Sequence, residues 1–526
     1  MREKTPNNNN LDVEKGQYEA SNTDMEGATI ISESTSDRGH TSEGLKEGQP
    51  EDDEDRDLNI ISWDGPNDQE NPKNWTMKKR WLNVAVLSIL TLVTPLGSSM
   101  FAPGIPKIMH EFGETSSTTA TFLVSIYVLG FAFGPLFVAP LSEIYGRSVM
   151  YNGGNILFVI FTVCVALSNG TGMMLAFRFL MGVAGSVPIT IGSGSIADMM
   201  PVEMRGRAMA AWALGPLLGP CIGPVAGGFL IRAAGWRWVY WLIAILAGII
   251  TVFTYFTLHE TYAPVILQKK VTRLQKETGN PDLRSKFHDP ASAGQKLKVA
   301  IARPMTLLFT EPIITSMSIY VAITYGILYL LFTTFSFVYT QQYGFDEGTS
   351  GLTFLPAGLG MMIGIVVFGA MSDGVVKKRT AAGLVHTPEI RVLPSFTVPA
   401  GLAIPTGLFI YGWTAYYGVH WIVSMIGVLV FAAGLMGVMM CIQNYLLDSF
   451  PTWAASTTAA LAVLRSLAGA LLPLGGLEMY NKLGLGWGNS LLGFISLALV
   501  PIPIVFYVYG ARIRRKGRAG GVAPVI

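Results

Sequence analysis

Charge is scarce in this 526-residue chain: Asp, Glu, Lys and Arg make up 14% of it, against about a quarter of a soluble domain. Half the residues are hydrophobic, so a water-solvated globule is excluded and lipid is the expected solvent. Cysteine is scarce as well. Cys164, Cys221 and Cys441 lie far apart in apolar segments, which excludes a disulfide framework and offers no metal-ligand spacing. No G-x4-G-K-[ST] phosphate loop occurs, so ATP is not the expected energy source, and neither a cofactor nor a nucleic-acid partner is expected. The basic start, short apolar run and cleavage site of a secretory signal are also missing, so the first apolar span is expected to direct insertion. Finally, no acid falls in the middle of an apolar run, and His110, His259, His386 and His420 fall in loops or at a span edge. No side chain therefore offers itself as a midplane proton carrier.

The charges that are present are segregated. Residues 1–72 hold 19 of the 35 acids but six of the 37 bases, with too few large apolar residues to bury a core, and read as a disordered acidic tail. Beyond it come twelve apolar stretches long enough to span a bilayer, near 81–102, 117–140, 150–168, 173–197, 207–230, 238–258, 313–336, 350–371, 395–412, 420–442, 456–477 and 488–508. The expected fold is an all-α membrane protein of two six-helix halves, 73–258 and 313–510, joined by a basic loop over 259–312 and followed by a basic tail over 511–526. One set of flanks and loops holds 25 Lys and Arg, whereas the other holds only Lys107, Arg232, Arg237 and Lys482. That asymmetry predicts cytoplasmic termini.

The fifth stretch contains GPCIGPVAGG, Gly219 to Gly228. Gly219, Gly223 and Gly227 share one helical face, where a neighbouring helix can approach closely, while Pro220 and Pro224 each remove a backbone hydrogen bond. Ala139-Pro140-Leu141-Ser142-Glu143 follows the second span and Gly369-Ala370-Met371-Ser372-Asp373 the eighth, each setting an acid at the end of a helix. Such internal repetition marks transporters whose halves rock about a midplane site. Glu143 and Arg147, four residues apart, suit a gating charge pair, with Asp373 the counterpart of Glu143. Arg178 and Arg465 stand mid-span among apolar neighbours, where a guanidinium is costly unless it faces a cavity or partner, and Arg178 is expected to face the central cavity.

These motifs resemble those of the major facilitator superfamily. Gly219, Gly223, Pro224, Gly227 and Gly228 match the fifth-helix signature of its proton-coupled antiporters; Glu143, Gly146 and Arg147 match part of its loop motif; Arg178, Gly182 and Gly185 match its fourth-span motif. NPKNWTMKKRW, HETYAPVILQKK, QQYGF, GLTFLPAGLG, SLLGF and PIPIVFYVYG look like the fungal twelve-span drug:proton antiporters. The resemblance implies alternating access driven by the proton gradient, a coupling role for Arg178, and a gating contact between Arg147 and Asp198 that stabilises the outward-facing state from the cytoplasmic side. Glu478 or Asp198 could take the proton if water reaches them. The expected substrate is a small lipophilic drug, toxin or metabolite, neutral or weakly acidic; two arginines without a midplane acid disfavour the alternative, a polyamine. An uptake symporter is the other transport reading, and a non-transporting membrane sensor a reading from a different class. The protein is expected to be a monomer of the plasma membrane, or alternatively the vacuolar membrane, and not an enzyme. Asn169-Gly170-Thr171 is the glycosylation triplet on the outer side, in a loop too short for ready occupancy.

Overall fold

The computed structural model describes residues 59–287, 292–383 and 387–519. Its first half contains α1 (Met77–Ser99), a short α2 (Ile105–Glu111), α3 (Ser117–Tyr145), α4 (Arg147–Ala166), α5 (Thr171–Met199), α6 (Val202–Ala234) and α7 (Trp236–Thr257). Two linking helices follow, α8 (Ala263–Thr278) and α9 (Ala293–Thr310). The second half comprises α10 (Pro312–Tyr343), a one-turn α11 (Glu347–Leu352), α12 (Leu355–Ala381), α13 (Pro394–Tyr416), α14 (Trp421–Ser449), α15 (Ala454–Leu471), α16 (Gly476–Leu499) and α17 (Pro501–Ala519).

Length and hydropathy give eleven membrane-crossing stretches among the described residues, the last running 61 residues from Ala454 to Arg514. That stretch is two spans. At Gly484 the backbone leaves the helical region (φ 75°, ψ 168°), a left-handed conformation that glycine adopts freely. Across it Tyr480 donates to Asn489 Oδ1 at 3.0 Å, whereas nine residues of continuous helix would set them about 13 Å apart. The chain therefore reverses at Gly484 and twelve spans result. Both described ends of the chain emerge on one side, here the terminal face; the opposite side is the distal face.

Enclosure follows side-chain chemistry. Helix α10 is buried along most of its length through Tyr320, Leu328, Phe332, Phe335 and Tyr339, whereas α7 leaves Ile245, Ile249, Val252 and Phe253 exposed as a lipid-facing stripe at helical spacing. Within the halves α1 packs on α6, α3 on α5, α13 on α14 and α16, and α12 on α14; between them, α3 meets α15 and α6 meets α11 and α12.

Two expected boundaries are corrected. The segment expected to be a disordered tail up to residue 72 is ordered from residue 59: Ile60–Ile61 forms a parallel bridge with Arg284–Ser285, and Lys270 of α8, its side chain 5% exposed, lies 2.5 Å from Asp64 and 3.7 Å from Asp68. These acids are not free tail charges but partners of a buried ammonium. Residues 511–519, expected to be tail, continue helix α17. Residues 1–58 and 520–526 lie outside the described residues.

Candidate functional site

The fifth-span signature builds the distal closure. Along α6, Gly215, Gly219, Gly223 and Gly227 face α1: a Cβ on Gly219 would meet Pro95 Cβ at 2.8 Å, one on Gly223 would meet Ser99 Oγ at 3.0 Å, and one on Gly227 would collide with the carbonyl oxygen of Met100. The stripe thus begins one turn earlier than the motif. Its second face meets the other half, because a side chain on Gly228 would strike the Glu347 carbonyl and one on Gly351 the Pro224 carbonyl. Only small residues permit this approach. Lys107 pairs with Glu347 at 3.1 Å and Arg232 with Asp346 at 2.7 Å across the same seam. The Thr349 hydroxyl and N–H, aided by Arg232, hold the Asp346 carboxyl below the usual carboxylate range. Exposed pairs contribute about 1 kcal/mol or less, so glycine packing contributes most to holding the seam closed.

On the terminal face, Arg147 Nε donates to Asp198 Oδ2 at 2.6 Å and Nη1 to Ser142 Oγ at 3.5 Å. Gly194 leaves room for the guanidinium, which would lie 2.9 Å from a Cβ there. The second half repeats the arrangement with the same atoms: Arg391 Nε donates to Asp448 Oδ2 at 2.9 Å, and Nη1 donates to Ser372 Oγ at 3.3 Å and Asp373 Oδ1 at 2.9 Å. Asp373 is thus paired, but Glu143 is exposed and makes no ion pair with Arg147 among the described residues. The expected helical pair fails because the chain turns between them at Gly146 (φ 100°), placing Glu143 at the end of α3 and Arg147 at the start of α4. Glu260 takes the vacant role. Its carboxylate accepts from the N–H groups of Arg147, Ser148, Thr261 and Tyr262 at 3.0 to 3.2 Å, capping the positive end of α4. The Arg147 guanidinium also lies 4.9 Å from the centre of the Tyr262 ring, whose hydroxyl burial pushes above its ordinary pKa. Arg147 and Asp198, expected to meet, thus join the start of α4 to the end of α5, and the contact lies within the first half.

The two mid-span arginines differ sharply. Arg178 is fully buried and does not face a cavity, contrary to expectation. Its Nε donates to the Leu123 carbonyl at 2.6 Å, Nη1 to Tyr240 Oη at 2.6 Å and the Gly97 carbonyl at 3.4 Å, and Nη2 to the Ser98 carbonyl at 3.2 Å; the guanidinium stacks 3.8 Å from the Phe101 ring centre. It therefore ties α5 to α1, α3 and α7. Arg465 of α15 is only partly buried. Its Nε is enclosed without a partner, and its guanidinium lies 4.9 Å from the centre of the Tyr325 ring. Glu478, expected near the cavity, is instead exposed and paired with Lys482 at 2.7 Å, one helical turn away on α16. Asn169 is exposed in the distal turn between α4 and α5.

The model of the Major Facilitator Superfamily matches residues 87–473. The chain belongs to the major facilitator superfamily. Its relatives include the MFS-type transporter penM of Penicillium rubens, 49% identical over 87% of this chain and 90% of that one. The efflux pump radE of Floropilus chiversii is 49% identical over 88% and 86%. Solved structures with the same fold include a bacterial homologue of the lysosomal transporter Spinster, inward-facing and unoccupied (TM-score 0.60, 15% identity, 84% of this chain and 99% of that one). The xylose transporter XylE of E. coli, partially occluded and inward open, is another (TM-score 0.58, 16% identity, 82% and 98%). The chain is a multi-pass membrane transporter of the superfamily, of the fungal efflux type, whose members move small molecules across a lipid bilayer.

Within this superfamily member the sequence motifs missed Glu260, Arg391 and Asp448. Glu260 stood in HETYAPVILQKK, a string that signals kinship without a role. Arg391 was hidden by spacing, being 18 residues from its acid Asp373, whereas Arg147 is four from Glu143.

Proposed function

We infer that this transporter expels a small lipophilic organic compound in exchange for protons, working as a monomer with its terminal face in the cytoplasm of the plasma membrane. The observation that carries the reading is the distal seam: the antiporter-type stripe of α6 closes on α1 of its own half and on α11 of the other. Closure at one end is what an alternating-access carrier needs while it loads from the opposite side, and the Lys and Arg bias makes that side cytoplasmic. On the terminal face the carboxylates of Asp198 and Asp448 are partly exposed and within a proton's reach. Protonation of Asp198 would release Arg147 and loosen α4 from α5, and the Arg391 and Asp448 pair offers the same step in the second half. Arg178 supports coupling by holding four helices in register.

Uptake symport is less well supported, because the proton-linked xylose transporters share the fold at 14 to 16% identity, whereas the near relatives include an efflux pump. A polycation is disfavoured by the charge of Arg465, which has no acidic partner among the described residues. The test is efflux of lipophilic compounds from pump-deleted yeast expressing the chain, with ATP held constant and the proton gradient collapsed by a protonophore. Concentrative efflux should stop; efflux that continues would overturn proton coupling.

A further inference from the structure

A guanidinium in the middle of a span is tolerated when its donors are satisfied, and by this measure Arg178 is a finished structural joint while Arg465 is not. Among the described residues Arg465 has no hydrogen bond and no carboxylate partner, and its Nε is enclosed without an acceptor. It lies eleven residues beyond Ala454 at the start of α15, near the middle of the span. Its surroundings are aromatic. Tyr325 and Tyr329 of α10 have ring centres 5.1 Å apart, Arg465 lies over the Tyr325 ring, and Gly469, one turn along α15, brings the helix within 3.2 Å of that ring for a Cβ placed there. A cation beside a flat aromatic surface, partly exposed and with no carboxylate partner among the described residues, is suited to receive an anion.

We propose that Arg465 holds the acidic oxygen of the exported compound, so that the substrates are lipophilic acids: carboxylic acids, acidic phenols and enolised 1,3-dicarbonyl compounds, carried as anions with their ring systems against Tyr325, which the buried Tyr329 backs. The proposal rests on the export reading above and narrows its substrate class. The planar guanidinium suits a carboxylate or enolate in a two-pronged contact, and the Tyr325 ring supplies apolar area. An anion also leaves the cell with the inside-negative membrane potential rather than against it. Arg178 cannot take this role, because its donors are already directed to Leu123, Gly97, Ser98 and Tyr240.

The test expresses the full chain, Arg465→Gln, Arg465→Lys and Arg178→Gln in pump-deleted yeast and follows export of a panel containing 2-naphthoate, methyl 2-naphthoate, 4-hydroxycoumarin and rhodamine 6G, alongside melting of each purified protein. The wild-type chain should export the acids and discriminate against the ester and the cation. Arg465→Gln should lose acid export at least tenfold, Arg465→Lys should keep part of it, and melting should be unchanged or raised in Arg465→Gln but lowered in Arg178→Gln. Export confined to neutral or cationic compounds, or acid export undiminished in Arg465→Gln, overturns the substrate class while leaving the exporter reading intact. Melting lowered as much in Arg465→Gln as in Arg178→Gln makes Arg465 a structural joint and overturns the proposal. If the wild-type chain exports nothing in the panel, the exporter reading itself falls.

Discussion

Arg147 reaches Asp198 at 2.6 Å without leaving its own half of the molecule, and Arg391 reaches Asp448 at 2.9 Å in the same manner in the other half. Each pair staples the start of one span to the end of the next, so it stiffens a half as a rigid body for rocking. Charge reversal at Arg147 should therefore cripple transport, and the swap Arg147→Asp with Asp198→Arg should restore part of it. The expected coupling in a double-mutant cycle is about 1–3 kcal/mol. Additive effects of the two single changes on efflux and melting would remove the pair from the mechanism.

The glycines of α6 should differ in tolerance according to what faces them. Gly223→Ala has only the Ser99 hydroxyl at 3.0 Å to displace and should keep most activity. Gly227→Ala sets a methyl against the Met100 carbonyl, where backbone must move, and overpacking of this kind costs about 1–3 kcal/mol. Gly227→Leu should abolish distal closure. Labelling of a single cysteine introduced beside the seam reads closure directly, and equal labelling in the Gly223→Ala and Gly227→Leu variants would contradict this ranking.

Much of the fold was readable because span length, glycine spacing and loop charge are set locally. GPCIGPVAGG marks a close helix contact whatever lies opposite. What lies opposite was not readable: the sequence pattern cannot tell that Gly227 meets Met100 while Gly228 meets Glu347. The same limit applies at the charges. Glu143 and Arg147 suggest a helical pair until Gly146 turns the chain, and two mid-span arginines look alike until burial shows one saturated and the other open. The ordered residues 59–72 were missed because acidic composition hides a docking partner, Lys270, which lies 208 residues beyond its contact at Ser62.

Docking of that segment should depend on Asp68. Burial would raise its carboxyl pKa, but the N–H groups of Asp64 and Glu70 and the Lys270 ammonium outweigh this and hold it below the ordinary value of 3.8. The stability it contributes is therefore fully present above that ordinary value and is lost as pH falls through the lower, folded one. Across the neutral and mildly acidic range the segment should stay docked. Asp68→Asn should weaken docking by about 1.5–3 kcal/mol, the range for a charged hydrogen bond, seen as faster amide exchange at Ile60 and Ile61. Unchanged exchange in the variant, or release of the segment on moving from about pH 8 to about pH 5, well above the folded pKa, would count against the assignment.

Arg178 is expected to act through architecture. Truncation to alanine leaves the carbonyls of Gly97, Ser98 and Leu123 and the Tyr240 hydroxyl without their donor, in a site that excludes water. An unsatisfied buried group costs about 1–3 kcal/mol, and several fall together, so Arg178→Ala should lower melting substantially as well as abolish transport. Arg178→Lys keeps the charge but replaces the planar fork with a single ammonium, which can serve only some of these acceptors; partial stability and partial transport should follow in parallel. A residue acting only in coupling would behave otherwise, with Arg178→Ala folding normally, binding substrate and failing to concentrate it. Melting measured beside pH-dependent efflux in vesicles separates the two: normal melting with lost proton dependence would return Arg178 to a direct coupling role, and parallel loss of both assigns it to the joint between α1, α3, α5 and α7.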